Sequence, residues 1–171
     1  SKQINTSKIV EFSDTIDDLS HNFIQIGHGS LGGKARGLAY ANMLLNNKKI
    51  KNKFKTKIKI PQTIAISTNE FDHFMDKNKL WDLALNKSSN DQILKKFLKS
   101  KLQKDLKKKL NIILDNFKKP LAVRSSSLLE DSQYKPLAGM YSTFMLPNSH
   151  SDKKERMQQL CEAIKRIYAS T

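Results

Sequence analysis

A chain of 171 residues with 38% hydrophobic and 27% charged residues has the size of one globular domain, and its composition argues against global disorder. No apolar run approaches the ~20 residues of a membrane span, and no basic-then-apolar leader opens the chain, so neither a membrane partner nor a secretory signal is expected. The formal net charge of +15 invites a nucleic-acid surface, but arginine stands only at Arg36, Arg124, Arg156 and Arg166. Lysine is a hydrated point charge without arginine's planar fork for guanine, so the charge is read as a solvated face and nucleic acid as an unfavoured partner.

In chain order, Ile9 to Phe12 reads as a short strand, with an acidic patch at Asp14, Asp17 and Asp18 after it. Phe23 to Ile26 alternates weakly and leads into a glycine cluster at Gly27, Gly29, Gly32 and Gly33. Lys34 to Leu45 is built of helix formers, with Leu38, Ala41 and Leu45 expected on its inner face. A lysine-rich connector from Lys48 to Lys59 precedes a predicted strand over Ile60 to Ile66, with Pro61 near its entry. Ser67 and Glu70 have capping-box spacing for a helix that carries Phe71, Phe74 and Met75.

From Asp91 to Lys119, Leu94, Leu98, Leu102, Leu106, Leu110, Ile113 and Phe117 recur every three or four residues. The pattern is one long amphipathic helix, or two with a break. Pro120 ends it, and Leu121 to Val123 begins a strand expected to be buried. A polar loop runs from Arg124 to Pro136, and Ser142 to Leu146 is another strand. Ser151 is expected to cap a last helix with Met157, Leu160, Cys161, Ile164, Ile167 and Tyr168 on one face. Cys161, the one cysteine, reads as a small core residue that can form no internal disulfide, so a reducing, cytoplasmic setting is expected. The chain starts without methionine and stops just after a helical pattern, which leads us to expect a piece of a longer protein.

Two segments carry candidate chemistry. The first is Gly27-His28-Gly29-Ser30-Leu31-Gly32-Gly33-Lys34. It contains G-x-G-x-x-G, but a dinucleotide fold also needs an acid about 20 residues on for the ribose. No acid stands between Asp18 and Glu70. A P-loop needs glycine where His28 stands and serine or threonine where Ala35 stands. Neither motif is met, yet glycines before a helix and a lysine in its first turn suit an anion. The alternative is a turn that merely enters a helix.

The second segment is Leu121-Ala122-Val123-Arg124-Ser125-Ser126, followed by Glu130 and Asp131. An arginine at a strand end can present its fork to phosphate oxygens. Equally, Arg124 could be a buried partner of one of the acids. His21, His28, His73 and His150 show no metal-ligand spacing, and no nucleophile triad stands out.

Taken in order, these motifs resemble the nucleotide-binding domain of the phosphoenolpyruvate synthase and pyruvate phosphate dikinase family. Gly32-Gly33-Lys34-Ala35-Arg36-Gly37-Leu38-Ala39 resembles its G-G-K-x-x-x-L-A. Ile60-Pro61 through Phe74 resembles V-P-x-G-F-x-[ILV]-[ST]-x-x-A-[FY], with Thr63 and Ile64 in place of glycine and phenylalanine. Val123-Arg124-Ser125-Ser126 with Glu130-Asp131 matches V-R-S-S-x-x-x-E-D. Leu137-Ala138-Gly139-Met140-Tyr141-Ser142-Thr143-Phe144 resembles F-A-G-Q-x-x-T-F, with methionine for glutamine. Ala163 to Ser170 resembles A-[IV]-x-x-[VC]-[FWY]-A-S. The likeness covers residues 26–171.

The resemblance implies an α+β fold: the N-terminal lobe of an ATP-grasp-like domain, a small mixed sheet with packed helices. Residues 1–171 would be a single partial domain, with a helical segment over about 78–119. It implies ATP as ligand, held by Lys34, Arg124, Gly139 and Thr143, with Mg2+ bound by groups outside this chain. It further implies phosphorylation of a histidine on a separate domain, and hence as partners a second ATP-grasp lobe and a phosphohistidine domain of the same longer protein. This chain alone would be inactive.

Overall fold

The computed structural model describes residues 9–14, 17–47, 50, 58–85, 89–126 and 143–170. The described chain is α+β. Three short strands, β1 (Val10–Glu11), β2 (Phe23–Ile26) and β3 (Thr63–Ile66), form a parallel sheet with β2 in the centre. Val10 lies opposite Ile24, and Ile24 opposite Ile64. A central parallel strand must be apolar on both faces, which explains why Phe23 to Ile26 alternates only weakly. Phe23, Ile24 and Ile26 are fully buried.

The parallel β2 and β3 need a crossover, and α1 (Gly33–Asn46) supplies it. Its first turns pack Ala35 and Ala39 with Leu31 against Phe23 and Ala65 on one face of the sheet. Ala35 and Asn42 are the buried residues of α1; of the expected Leu38, Ala41 and Leu45, Leu38 is exposed and the other two are half-buried. Leu38, Tyr40 and Met43 stand exposed.

The opposite sheet face carries the main core. Ile24 and Ile26 meet Phe12, Phe74, Met75, Leu106, Leu110 and Leu160 there. The surrounding helices are α2 (Thr68–Asn78), α3 (Trp81–Leu85), α4 (Asn90–Lys99), α5 (Lys104–Asn116) and α6 (Lys153–Ala169). Tyr168 of α6 packs edge-on to Phe71 at 5.1 Å between ring centres and lies 5.3 Å from Phe74.

The repeat over 91–119 resolves into two helices, α4 and α5, with a break at 100–103. Ser100 Oγ donates back to the Lys96 carbonyl, a local bond that competes with helix continuation. Asn78, from α2, then clamps Lys101: its Oδ1 accepts the Lys101 N–H and its Nδ2 donates to the Lys101 carbonyl. Leu102 stays buried across the break, so the apolar pattern runs through it unbroken.

β4 (Leu121–Arg124) and β5 (Thr143–Leu146) form a separate antiparallel ladder, so among the described residues the strands fall in two small sheets and not in one mixed sheet. Only one face of β4 is covered: Leu121 and Val123 pack inward with Leu146, while Ala122 and Arg124 are exposed. The strand expected to be buried is thus half open. The last helix is capped by Asp152, whose Oδ1 accepts the Lys154 N–H, one residue after the expected Ser151. Among the described residues no helix is long and apolar enough to cross a membrane.

Candidate phosphate site

The glycine cluster bridges the end of β2 and the start of α1. Gly27 and Gly29 adopt positive φ, 78° and 104°, where a side chain would be strained. Three contacts hold the loop. Gln25 Nε2 donates to the Gly27 carbonyl at 3.0 Å, and the Thr68 N–H donates to the Ser30 carbonyl at 3.1 Å. Arg36 reaches back from the first turn of α1, with Nε on the Leu31 carbonyl at 2.7 Å and Nη2 3.3 Å from Ser30 Oγ. Arg36 was not among the residues singled out from sequence.

The expected capping box at Ser67 and Glu70 does not form. Ser67 is the N-cap of α2 but makes no side-chain cap bond, and its buried hydroxyl has no partner among the described residues. Gly27 explains this. A side chain there would meet Ser67 Oγ at 2.7 Å and Glu70 Oε1 at 2.8 Å, so both residues pack beneath the glycine.

The two candidate segments meet at Gly32. A Cβ on Gly32 would sit 1.1 Å from the Ser126 carbonyl oxygen, so the loop lies directly on the backbone beyond β4. Gly32 is the N-cap of α1 and has no side chain to cap with. Ser126 does this work from 91 positions away: its Oγ accepts the Ala35 N–H at 2.9 Å. Lys34 is the residue before Ala35, and Arg124 lies two residues before Ser126. On the neighbouring strand Thr143 is the register partner of Arg124.

Lys34, Arg124 and Thr143 are therefore gathered at one end of the ladder, beside a helix N-terminus. Arg124 is exposed, so it is not the buried ion-pair partner that the alternative reading required. Gly139, Met140, Glu130 and Asp131 lie outside the described residues. The lysine, the arginine, the two hydroxyls and the positive end of α1 all suit a polyanion.

A model for the family described as "Pyruvate phosphate dikinase, AMP/ATP-binding domain" matches residues 28–171. The chain belongs to that family. It is an ATP-binding domain of the pyruvate phosphate dikinase type, and its α+β fold agrees with an ATP-grasp-like N-terminal domain. The match begins inside the glycine cluster and takes in the two segments that meet at Gly32 and Ser126. No curated protein and no solved structure matches the chain.

A groove of about 890 Å³ runs beside α5 and α6, rimmed by Lys107, Lys153, Lys154 and Lys165. Two of these lysines already have work: Lys153 binds Asp115 at 2.6 Å and Lys165 donates to the Leu98 carbonyl at 2.7 Å. Cys161 lines this groove, and burial pushes its thiol above the ordinary range, which makes it a poor nucleophile. Among the described residues no group of three or more His, Cys, Asp or Glu is placed to hold a metal ion.

Proposed function

We propose that this chain forms one wall of the ATP site of a phosphotransferase of the phosphoenolpyruvate synthase or pyruvate phosphate dikinase kind. Lys34 and Arg124 neutralise phosphate oxygens, Thr143 contributes its hydroxyl, and Gly139 lets backbone approach the same phosphates. ATP supplies the phosphoryl group, and a histidine on a separate domain receives it. The Mg2+ that accompanies ATP finds its ligands in a second lobe. In such transfers the protein positions reactants and offsets charge, which is what lysine, arginine and a helix N-terminus do.

The observation that carries this reading is the Gly32–Ser126 contact with the Ala35–Ser126 hydrogen bond. It brings the lysine segment and the arginine segment to one place. The residues fit a polyphosphate, since every side chain named is a cation or a hydroxyl. They do not fit a divalent cation, since no carboxylate is among them.

The test is MgATP titration of this chain, followed by calorimetry or NMR. Saturable binding without hydrolysis is expected. Arg124→Ala or Lys34→Ala is expected to weaken it about ten-fold or more, the scale of a lost charge-assisted hydrogen bond. Binding that ignores both substitutions would refute the assignment, as would turnover by the chain alone for the inactivity of this piece.

A further inference from the structure

We infer that the groove along α5 and α6 is a docking site for an acidic amphipathic helix of a partner protein. The groove shares no residue with the Gly32–Ser126 junction and does not depend on the phosphate reading of Lys34 and Arg124.

Its shape is that of a helix seat. The volume is about 890 Å³, the walls are helices, and no strand residue lines it. The floor is apolar. Leu98 of α4 and Met157 and Cys161 of α6 are half-buried there, and the last two continue the main core. Both ends are braced. Lys153 ties the start of α6 to Asp115 of α5 at 2.6 Å. Lys165, further along α6, donates to the Leu98 carbonyl of α4 at 2.7 Å. The stretch between these two lysines is about 18 Å of helix, enough to seat about three turns of another helix. A helix laid in such a groove sets side chains at i, i+3 or i+4, and i+7 on the floor. The Met157 thioether suits this floor, because a methionine refits to the side chains it meets.

Charge names the occupant. Lys107, Lys153, Lys154 and Lys165 rim the groove. Its two carboxylates are engaged: Asp152 Oδ1 accepts the Lys154 N–H at 2.8 Å, and Glu162 Oε1 accepts from Arg166 at 2.7 Å. Lys107 of α5 and Lys154 of α6 form no ion pair among the described residues. They stand exposed on the two walls, so a helix laid between them meets a cation on each side. The complement of an apolar floor with a cationic rim is a helix with an apolar stripe flanked by acids. A second copy of this chain, at +15, is repelled. No aromatic ring lines the groove, so unpaired bases find nothing to stack on, and a concave floor cannot lie against a flat bilayer.

The probe is a synthetic peptide of about 14 residues, with leucine at helical spacing and glutamate on both flanks. Cys161 is the one cysteine of the chain and lies in the groove, so its alkylation by iodoacetamide, read by intact mass, reports occupancy at this place. The peptide is expected to bind saturably by fluorescence anisotropy and, at a ten-fold excess over its Kd, to slow alkylation about ten-fold. A peptide of the same composition with its leucines scrambled is expected to do neither. Lys107→Glu with Lys154→Glu is expected to weaken the acidic peptide about ten-fold, since two attractions become repulsions, and Lys154→Ala alone about two-fold. Both lysines stand near the start of their helices, where an acid suits the helix dipole, so the double variant keeps its fold, and its thermal unfolding checks this. Equal binding by the scrambled peptide, unchanged affinity in both variants, binding that leaves Cys161 reactive, or no binding overturns the docking site. Protection of Cys161 by oligouridylate, or by raising the concentration of the chain without peptide, also overturns it, in favour of a nucleic-acid groove or a self-interface.

Discussion

The Ser126 carbonyl oxygen occupies the space a side chain on Gly32 would need, 1.1 Å from the would-be Cβ. The obstacle is backbone, so no rotamer change relieves it. Gly32→Ala must therefore push α1 off the end of β4. It is expected to cost about 3 kcal/mol, at the upper end for overpacking, with lost ATP binding. Gly37, within the same helix, has nothing within 4 Å of its would-be Cβ. Gly37→Ala is expected to stabilise by about 0.5–1 kcal/mol. Denaturant midpoints of the pair check both signs, and two equal shifts would show that Gly32 does not make this contact in solution.

Arg156 is buried at 5% exposure and has carbonyls for partners. Its Nη1 donates to the Leu114 carbonyl at 3.0 Å and lies 3.3 Å from Asn148 Oδ1. Asn148, itself at φ 52°, donates to the carbonyls of Phe117 and Lys119. Together they satisfy the end of α5 and fix the turn into β4, and so set where Arg124 emerges. Arg156→Ala is expected to cost about 3 kcal/mol by leaving these groups unpaired, and Asn148→Ala about 2 kcal/mol. Thermal unfolding of both variants checks this. The double variant should fall short of the sum, because one network is lost twice.

The Tyr168 hydroxyl is buried and finds no partner among the described residues. Burial, with the Glu70 carboxylate adding to it, pushes the phenol well above its ordinary range. An acid whose pKa is raised on folding contributes stability that is complete below the unfolded value of about 10 and is lost as pH climbs through the folded one. Tyr168→Phe is expected to be neutral or stabilising by up to about 1 kcal/mol at pH 7, since only an unpaired hydroxyl goes. It should also flatten the alkaline loss of stability. A variant that is strongly destabilised at pH 7 would mean that the hydroxyl has a partner in solution.

Asp115 is held below the ordinary carboxylate range by its hydrogen bond to Lys153. A lowered acid contributes stability that is present above its unfolded pKa and lost as pH falls through the folded one. The pair is substantially exposed, so the effect is small and screened by salt. Asp115→Asn is expected to lower stability slightly at neutral pH and low ionic strength and to leave the acid end of the curve unchanged, which flattens the acid limb. An acid limb identical to the parent's, in denaturation series from pH 6 to pH 3, would show that the pair is absent in solution.

Strands and helices were legible wherever one local pattern decided them. The strand ending at Ile66 and the helix from Thr68 follow from an apolar run, Pro61 and the position of Ser67, although the strand begins at Thr63 and not at Ile60. Several departures trace to a partner distant in sequence, whereas the shift of the last N-cap from Ser151 to Asp152 is local. The inner face of α1 is set by Ser126 and Phe23, not by the helix's own leucines. The capping box at Ser67 and Glu70 has the right spacing but loses to packing beneath Gly27. The sequence left one helix or two open over 91–119, and the break before α5 that decides it is held by Asn78 from another helix. At the candidate site, motif order singles out Lys34, Arg124 and Thr143, whereas the contacts of Arg36 and Ser126 with the glycine loop and the start of α1 follow from no spacing rule.

Ser126 joins the two halves of the site through a single hydroxyl. The Ala35 N–H it accepts is one of the first amides of α1, and Gly32 can offer it nothing. Ala35 is buried, so in Ser126→Ala this amide would lose its partner without free access to water. The expected cost is about 1–2 kcal/mol, between that of a lost cap and that of a buried orphan donor. The first turn of α1 should fray, and Lys34 with it, so MgATP binding should weaken although neither Lys34 nor Arg124 has changed. Ser126→Thr keeps the hydroxyl and should recover most of both losses. Hydrogen exchange at the Ala35 amide reports the bond directly. Faster exchange in Ser126→Ala, restored in Ser126→Thr, ties the arginine segment to the lysine segment through this bond. Equal exchange in all three proteins would separate the two segments and leave Lys34 without the support that places it beside Arg124.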